Sequence, residues 1–189
     1  KTDKVIKTVT FLNDGNLKES IIQKGPITVA SSYLFPKDVL LSIGGFDESL
    51  PSSIDHDIWL SLADHGYNVD SVREPPVVKY IDQTESMMTN SNTRIEGVRK
   101  FRRKWLPTFK EWFGEDNGIE YADQYFVDVI GHLFRENLTT GDYVGCFKAG
   151  RSIFYTSEQL TYNIYTILYN TMGAAKDIFK RGFDIIKYR

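Results

Sequence analysis

The stretch IGGFDESLPSSIDHDIWLSLADHGY, residues 43–67, decides the predicted fold of this chain. A Gly-Gly turn and a run rich in serine precede an amphipathic segment, which predicts a helix over residues 55–65 that stops at the next glycine. Asp55 and Asp57 fall in the first turn of that helix, where the helix dipole favours carboxylates. Either these acids only stabilise the start of the helix, or one of them does chemistry at a cleft.

Strands and helices are predicted to alternate around this stretch. Strands are expected at residues 5–12, 27–35, 68–72 and 77–81, and helices at 37–43 and 55–65. Residues 17–23 fit either a strand or a short helix. The alternation predicts an α/β layer structure for residues 1–90.

Helical periodicity dominates from residue 91 onward. Helices are expected at residues 94–105, 109–113, 121–136, 142–155 and 157–187, with breaks at Gly114, Gly118 and residues 137–141. Residues 91–189 are therefore predicted to form a helical extension that follows the α/β part.

Composition and charge narrow the functional classes. The chain has 189 residues, of which 41% are hydrophobic, so a sizeable core can form. A formal net charge of −2 argues against nucleic acid as the main partner. Cys146 is the only cysteine, which excludes an internal disulfide and favours a reducing, cytoplasmic location. The chain opens on Lys1 and shows no signal peptide, so we expect it to begin part-way through a larger protein.

The block GGFDESL, a short spacer and then DHDIWLSLADHGY resembles the C-terminal half of the catalytic domain in family 2 glycosyltransferases, which have the GT-A, Rossmann-like fold. Those enzymes typically carry GGFDE-x-L, then an acid pair, D-L-W-L-R-L-A and G-Y. The resemblance covers residues 27–105. Its further matches are Glu74-Pro75, Asp82-Gln83, Ser86, Arg94, Gly97, Phe101, Lys104 and Trp105.

The resemblance implies transfer of a sugar from a nucleotide-activated donor to an acceptor hydroxyl, with inversion at the anomeric carbon. In that scheme Asp55 is the general base, because an alcohol becomes a competent nucleophile when a nearby carboxylate takes its proton. Gly44, Gly45 and Phe46 are expected to shape the acceptor side of the cleft, since a Gly-Gly turn lets the backbone approach a ligand closely. Asp57 is expected either to orient the site or to be a surface acid.

The same residues allow a purely structural role for Asp55. Ser52-x-x-Asp55 is nearly a capping box, and Ser52 or Ser53 is expected to cap the helix. The composition favours the cap, whereas the resemblance favours the base.

Asp55-His56-Asp57 is the only D-x-D sequence of the chain, but positions i and i+2 of a helix point about 200° apart and cannot close on one ion. The resemblance implies a divalent metal, Mg²⁺ or Mn²⁺, whose ligands lie upstream of this chain. The implied partners are a nucleotide-sugar donor and a glycan or lipid-linked acceptor, as in glycan or polysaccharide biosynthesis. The fragment alone is expected to be inactive.

Two basic segments have open interpretations. Residues 99–104 could grip donor phosphates, anionic lipid or nucleic acid, but neighbouring glutamates favour a solvated helix face. The segment from Ala175 to Arg189 mixes apolar and basic residues, which suits a helix on the inner face of a membrane or one docked on its own domain. The alternatives to an enzyme are a non-catalytic helical interaction module and a peripheral membrane-binding adaptor.

Overall fold

The computed structural model describes residues 14–24, 33–71 and 90–187, with side chains as far as Ile178. Within these ranges the elements are, in order, β1 (Gly15–Asn16), α1 (Leu17–Lys24), α2 (Lys37–Ser42), α3 (Ile54–Asp64), β2 (Asn68–Val69), α4 (Ser91–Phe113), α5 (Glu115–Thr140), α6 (Tyr143–Thr156) and α7 (Leu160–Lys187). The chain divides into two compact units. The first unit is Lys1–Ser49 with Ile54–Gln83, and the second is Leu50–Ser53 with Thr84–Arg189.

The predicted α/β, Rossmann-like fold is wrong. The described residues are mostly helical, and the sheet that they form has only two strands, β1 and β2, which run antiparallel. A Rossmann-like half needs parallel strands joined by crossover helices, whereas α1 follows β1 directly and packs on α3. Residues 17–23, which fitted either element, are helical. The strands predicted at residues 5–12 and 77–81, and most of that at 27–35, lie outside the described residues.

Helices α1 and α3 supply the described core of the first unit. Leu17 and Ile21 lie one turn apart on α1 and are each 1% exposed, while Ile58 of α3 is fully buried. The ring of Trp59 on α3 packs against Tyr33, with ring centroids 3.7 Å apart. These contacts fix the apolar face of α3 and, with it, the direction in which the acids of its first turn point.

Glycines end α2 and α3 in the same way. Gly44 has a φ of 89°, and the N–H groups of Gly44 and Gly45 donate to the carbonyls of Leu41 and Leu40 at 3.1 and 2.9 Å. This pattern is a Schellman turn, whose left-handed residue is usually glycine because glycine has no Cβ atom to clash. Gly66, with a φ of 75°, repeats the turn after α3. Both predicted stops are confirmed.

Helix α5 is the central helix of the second unit and packs on α4, α6 and α7. The helices meet through residues at helical spacing, which bury one stripe of each helix. That core consists of Ile95, Val98, Phe126, Val127, Ile130, Leu133, Ala149 and Ile153. The helical periodicity predicted from residue 91 onward is therefore confirmed.

Two predicted interruptions within these helices are wrong. Helix α4 continues through Pro107, because the buried Trp105 and Phe109 on either side are held by packing that outweighs the one backbone hydrogen bond that proline removes. Helix α5 continues through Gly118, where a Cβ atom would lie 2.5 Å from the backbone of Lys110. Gly118 thus allows α4 and α5 to approach closely and does not break the helix.

Candidate functional site

Asp55 lies in the first turn of α3 and is half-buried. Its Oδ1 atom accepts a hydrogen bond from the backbone N–H of His56 at 3.1 Å. Unpaired N–H groups and the dipole at the start of a helix favour a negatively charged side chain there. A partly exposed carboxylate can take a proton from a hydroxyl group that reaches it.

The backbone has an uncommon conformation immediately before α3. Ser53 has a φ of 65°, and it is the only residue other than glycine with a positive φ in the part of the chain that the structure describes. Such a conformation costs about 1–3 kcal/mol and persists only where surrounding contacts enforce it. One such contact involves the preceding residue, because the Ser52 hydroxyl donates to the Arg94 carbonyl at 3.3 Å. Ser52, one of the two predicted caps of α3, is therefore bonded to α4 instead.

Gly97 of α4 explains how Ser52 comes so close to that helix. A Cβ atom at Gly97 would lie 2.6 Å from the Ser52 backbone nitrogen and 2.8 Å from its Cβ atom. Leu50, at the start of the same short segment, is 3% exposed. Arg94 and Gly97 are among the residues that carry the resemblance, and the structure brings both of them to Ser52, a contact that the sequence did not predict.

Asp57 is 1% exposed, so the interpretation as a surface acid is wrong. Two positions along a helix turn the side chain by about 200°, which sends Asp57 inward while Asp55 stays near the surface. The two carboxylates therefore do not share one ligand. That Asp57 orients the site stays a prediction.

The Gly-Gly turn and Phe46 lie at the surface, and Phe46 is 46% exposed. The Ser42 and Tyr67 hydroxyls lie 3.0 Å apart, which joins the end of α2 to the residue that follows the α3 turn. Asp55 is at the first turn of α3, about 15 Å along the helix axis from the end of α3 that Tyr67 follows. Among the described residues, no hydrogen bond or ring contact joins Asp55 to the turn, so their shared role at an acceptor cleft stays a prediction.

Within the described ranges, no group of three or more His, Cys, Asp or Glu side chains could hold a metal ion. The resemblance places the ligands of the implied metal upstream of this chain, and no chemical step is assigned to a metal. The requirement for Mg²⁺ or Mn²⁺ stays a prediction.

Comparison of the chain with protein-family models, curated proteins and solved structures finds no match. The resemblance to family 2 glycosyltransferases thus depends on the quoted residues alone.

A cleft of about 250 Å³, which the sequence analysis did not predict, lies where α4 and α6 begin. It is lined by Asn90, Ser91, Asn92, Asp142, Val144, Gly145 and Lys148. Two side chains of this lining already cap helices. Asn90 accepts a hydrogen bond from the Thr93 N–H at the start of α4, and Asp142 accepts one from the Gly145 N–H at the start of α6. The Ser91 hydroxyl accepts a hydrogen bond from the Asn137 amide at 2.9 Å, and we assign no reaction to this cleft.

Side chains of the basic segment at residues 99–104 bond within the second unit. The Arg102 Nε atom donates to Oδ1 of the buried Asp123 at 2.8 Å, which joins α4 to α5. Lys100 pairs with Glu96 at 3.3 Å on the exposed face of α4. The segment therefore combines a structural ion pair with the solvated face that the sequence predicts.

Proposed function

We propose that this chain carries the acceptor-activating residues of a glycosyltransferase, which moves a sugar from a nucleotide-sugar donor to an acceptor hydroxyl with inversion, and that Asp55 is its general base. The observation that carries the proposal is the block from Gly44 to Tyr67, in which an acid stands at the start of α3 as in family 2 glycosyltransferases. The partial exposure of Asp55 and the uncommon backbone of Ser53 support it.

In the proposed reaction, the Asp55 carboxylate accepts the proton of the acceptor hydroxyl as that oxygen attacks the anomeric carbon of the donor. The bond from the anomeric carbon to the nucleotide phosphate breaks on the opposite face of the sugar, so the configuration inverts and the nucleotide leaves. Asp55 ends the step protonated and returns the proton to water. Asp57 cannot replace it, because its side chain is buried.

The proposal includes a glycan or lipid-linked acceptor and a cytoplasmic location, at the inner face of a membrane where the acceptor is lipid-linked. A single free and buried cysteine, Cys146, fits a reducing compartment.

The test compares Asp55→Asn with Asp64→Asn in the complete gene product. Asp64 is an exposed acid at the last turn of the same helix, so its loss changes the charge equally without touching the proposed base. Release of nucleotide from a panel of nucleotide sugars, with and without acceptors, measures turnover. We expect Asp55→Asn to reduce turnover by at least about a hundredfold while donor binding is kept, and Asp64→Asn to leave turnover unchanged. Near-normal turnover of Asp55→Asn would remove Asp55 from the mechanism.

The second candidate is a non-catalytic helical interaction module. It is favoured by the second unit, in which α6 and α7 expose apolar side chains such as Phe147 and Leu168. This candidate predicts that Asp55→Asn has no effect on any activity, whereas polar substitutions on the exposed faces of α6 and α7 abolish partner binding.

A further inference from the structure

Helix α7 exposes an apolar face to solvent. A row at four-residue spacing, Leu160, Ile164, Leu168 and Met172, is between 45% and 63% exposed. Tyr165 and Tyr169 lie beside this row, with their rings stacked at a centroid distance of 6.0 Å. The chain has no charged residue from Leu160 to Ala175. A contiguous apolar surface of this kind is rare on a protein that acts alone in water.

The opposite face of α7 is buried against the rest of the second unit, where three polar residues accompany the apolar Ala174 and Ile167. Asn163, Thr166 and Asn170 are between 1% and 5% exposed. The contact with α5 is close, because a Cβ atom at Gly131 of α5 would lie 2.6 Å from the Thr166 methyl group. An ordinary surface helix buries its apolar stripe and exposes its polar one. Helix α7 instead buries these three polar residues and leaves its row of large apolar side chains outward, so its outward face offers a second apolar contact surface.

Helix α6 adds aromatic side chains and positive charge. Its exposed large hydrophobic residues are Tyr143, Val144, Phe147, Phe154 and Tyr155. Its exposed charged residues are Lys148 and Arg151, and α6 contains no acid. The Arg151 guanidinium lies over the Tyr155 ring at 5.0 Å, so the cation sits among aromatic groups.

Cations outnumber the acids without an ion pair around these two faces. Between Asp142 and Ile178 the acids are Asp142, which caps α6, Glu158, in the connection between the helices, and Asp177. Asp177 is neutralised by Arg135 of α5 at 2.8 Å. Exposed Lys176 joins Lys148 and Arg151 as a cation of this region. Apolar and aromatic side chains flanked by cations match the surface of an anionic bilayer, whereas a second copy of the same face would bring like charges together.

We propose that the exposed faces of α6 and α7 bind the surface of an anionic lipid bilayer. None of the described helices is long and apolar enough to cross a membrane, so the helices lie on the surface. The proposed bilayer contact begins at Tyr143, well before the segment from Ala175 to Arg189 for which the sequence indicated a helix on a membrane. It does not depend on Asp55, and it assigns to a bilayer the faces that an interaction module would offer to a protein partner.

The test is co-sedimentation of the full chain with vesicles of phosphatidylcholine alone and of phosphatidylcholine with about one third phosphatidylglycerol. We expect binding to the anionic vesicles only, and we expect it to weaken when the salt concentration rises from about 0.1 M to about 1 M. Leu168→Glu should reduce the partition coefficient by about tenfold or more, because it removes an inserted side chain and adds a repelled charge. Leu41→Glu, at a leucine of α2 that is 65% exposed, is the matched control and should bind as the unaltered chain does.

A second variant keeps the test independent of any change in folding. Lys148→Gln with Arg151→Gln leaves the apolar faces intact and should weaken binding to anionic vesicles by about fivefold per charge. Equal sedimentation with both vesicle types, or none with either, would overturn the proposal. It would also be overturned by a dimer in sedimentation equilibrium that Leu168→Glu dissociates, since the face would then bind a second copy. Asp55→Asn should leave vesicle binding unchanged, which separates this proposal from the catalytic one.

Discussion

Replacing Gly97 by alanine tests the contact that anchors the residues before α3 on α4. A Cβ atom there would lie 2.6 Å from the Ser52 nitrogen, and rotation of the Ser52 side chain cannot relieve that distance because the atom belongs to the backbone. The substitution must therefore displace the short segment of Leu50–Ser53 from α4. The hydrogen bond from Ser52 to the Arg94 carbonyl would be lost as well.

The magnitude follows from three contributions to the free energy of unfolding. Over-packing costs about 1–3 kcal/mol, and we take the upper part of that range because the clash is with backbone. Loss of the Ser52 hydrogen bond costs about 1 kcal/mol, whereas alanine in the interior of a helix gains about 1 kcal/mol over glycine. The net loss is about 2–3 kcal/mol, which lowers the urea midpoint by about 1–1.5 M for a slope of about 2 kcal/mol/M.

The assay is urea unfolding of the full chain followed by far-ultraviolet circular dichroism. Gly150→Ala is the control, because a Cβ atom at that helical glycine would meet Phe134 and Ile167 at ordinary distances of 3.6 and 3.9 Å. That variant should be more stable than the unaltered chain by up to about 1 kcal/mol. Ser52→Gly combined with Gly97→Ala should recover part of the loss. An unchanged or higher midpoint for Gly97→Ala alone would refute the close approach of Ser52 to α4.

Two further predictions concern the second unit. Asp123→Asn should lower the free energy of unfolding by about 2–3 kcal/mol, because it leaves the largely buried Arg102 guanidinium without its counter-charge. The control, Glu96→Gln, removes the exposed pair with Lys100 and should change the free energy of unfolding by less than about 0.5 kcal/mol. Urea midpoints compare the two variants. Burial, and secondarily the charge of Asp142, raises the pKa of the Cys146 thiol, so the unfolded thiol ionises first and stability should fall as the pH rises above about 8.5. This alkaline fall, measured from urea midpoints across pH, should be shallower in Cys146→Ser, and an unchanged slope would contradict the assignment.

Local signals in the sequence predicted much of the helical structure. The stops at Gly44 and Gly66 follow from a backbone conformation that glycine adopts at little cost. The helices of residues 91–187 follow from apolar spacing that any amphipathic helix must show. The α/β prediction failed because alternating short apolar runs indicate only that segments are extended or helical, and a sheet depends on partners distant in the chain. The one described strand pair joins β1 to β2, which are about fifty residues apart.

For the candidate site, the sequence by itself determined that Asp55 and Asp57 stand at the start of one helix, because capping and periodicity are local properties. Only the tertiary structure decided that Asp57 is buried, that Ser52 is held at Gly97, and that α7 leaves its apolar row exposed. An amphipathic pattern gives a helix two faces without stating which of them meets a neighbour. That choice depends on how surfaces far apart in the chain fit together, and on whether a further surface, such as a lipid bilayer, covers the other face.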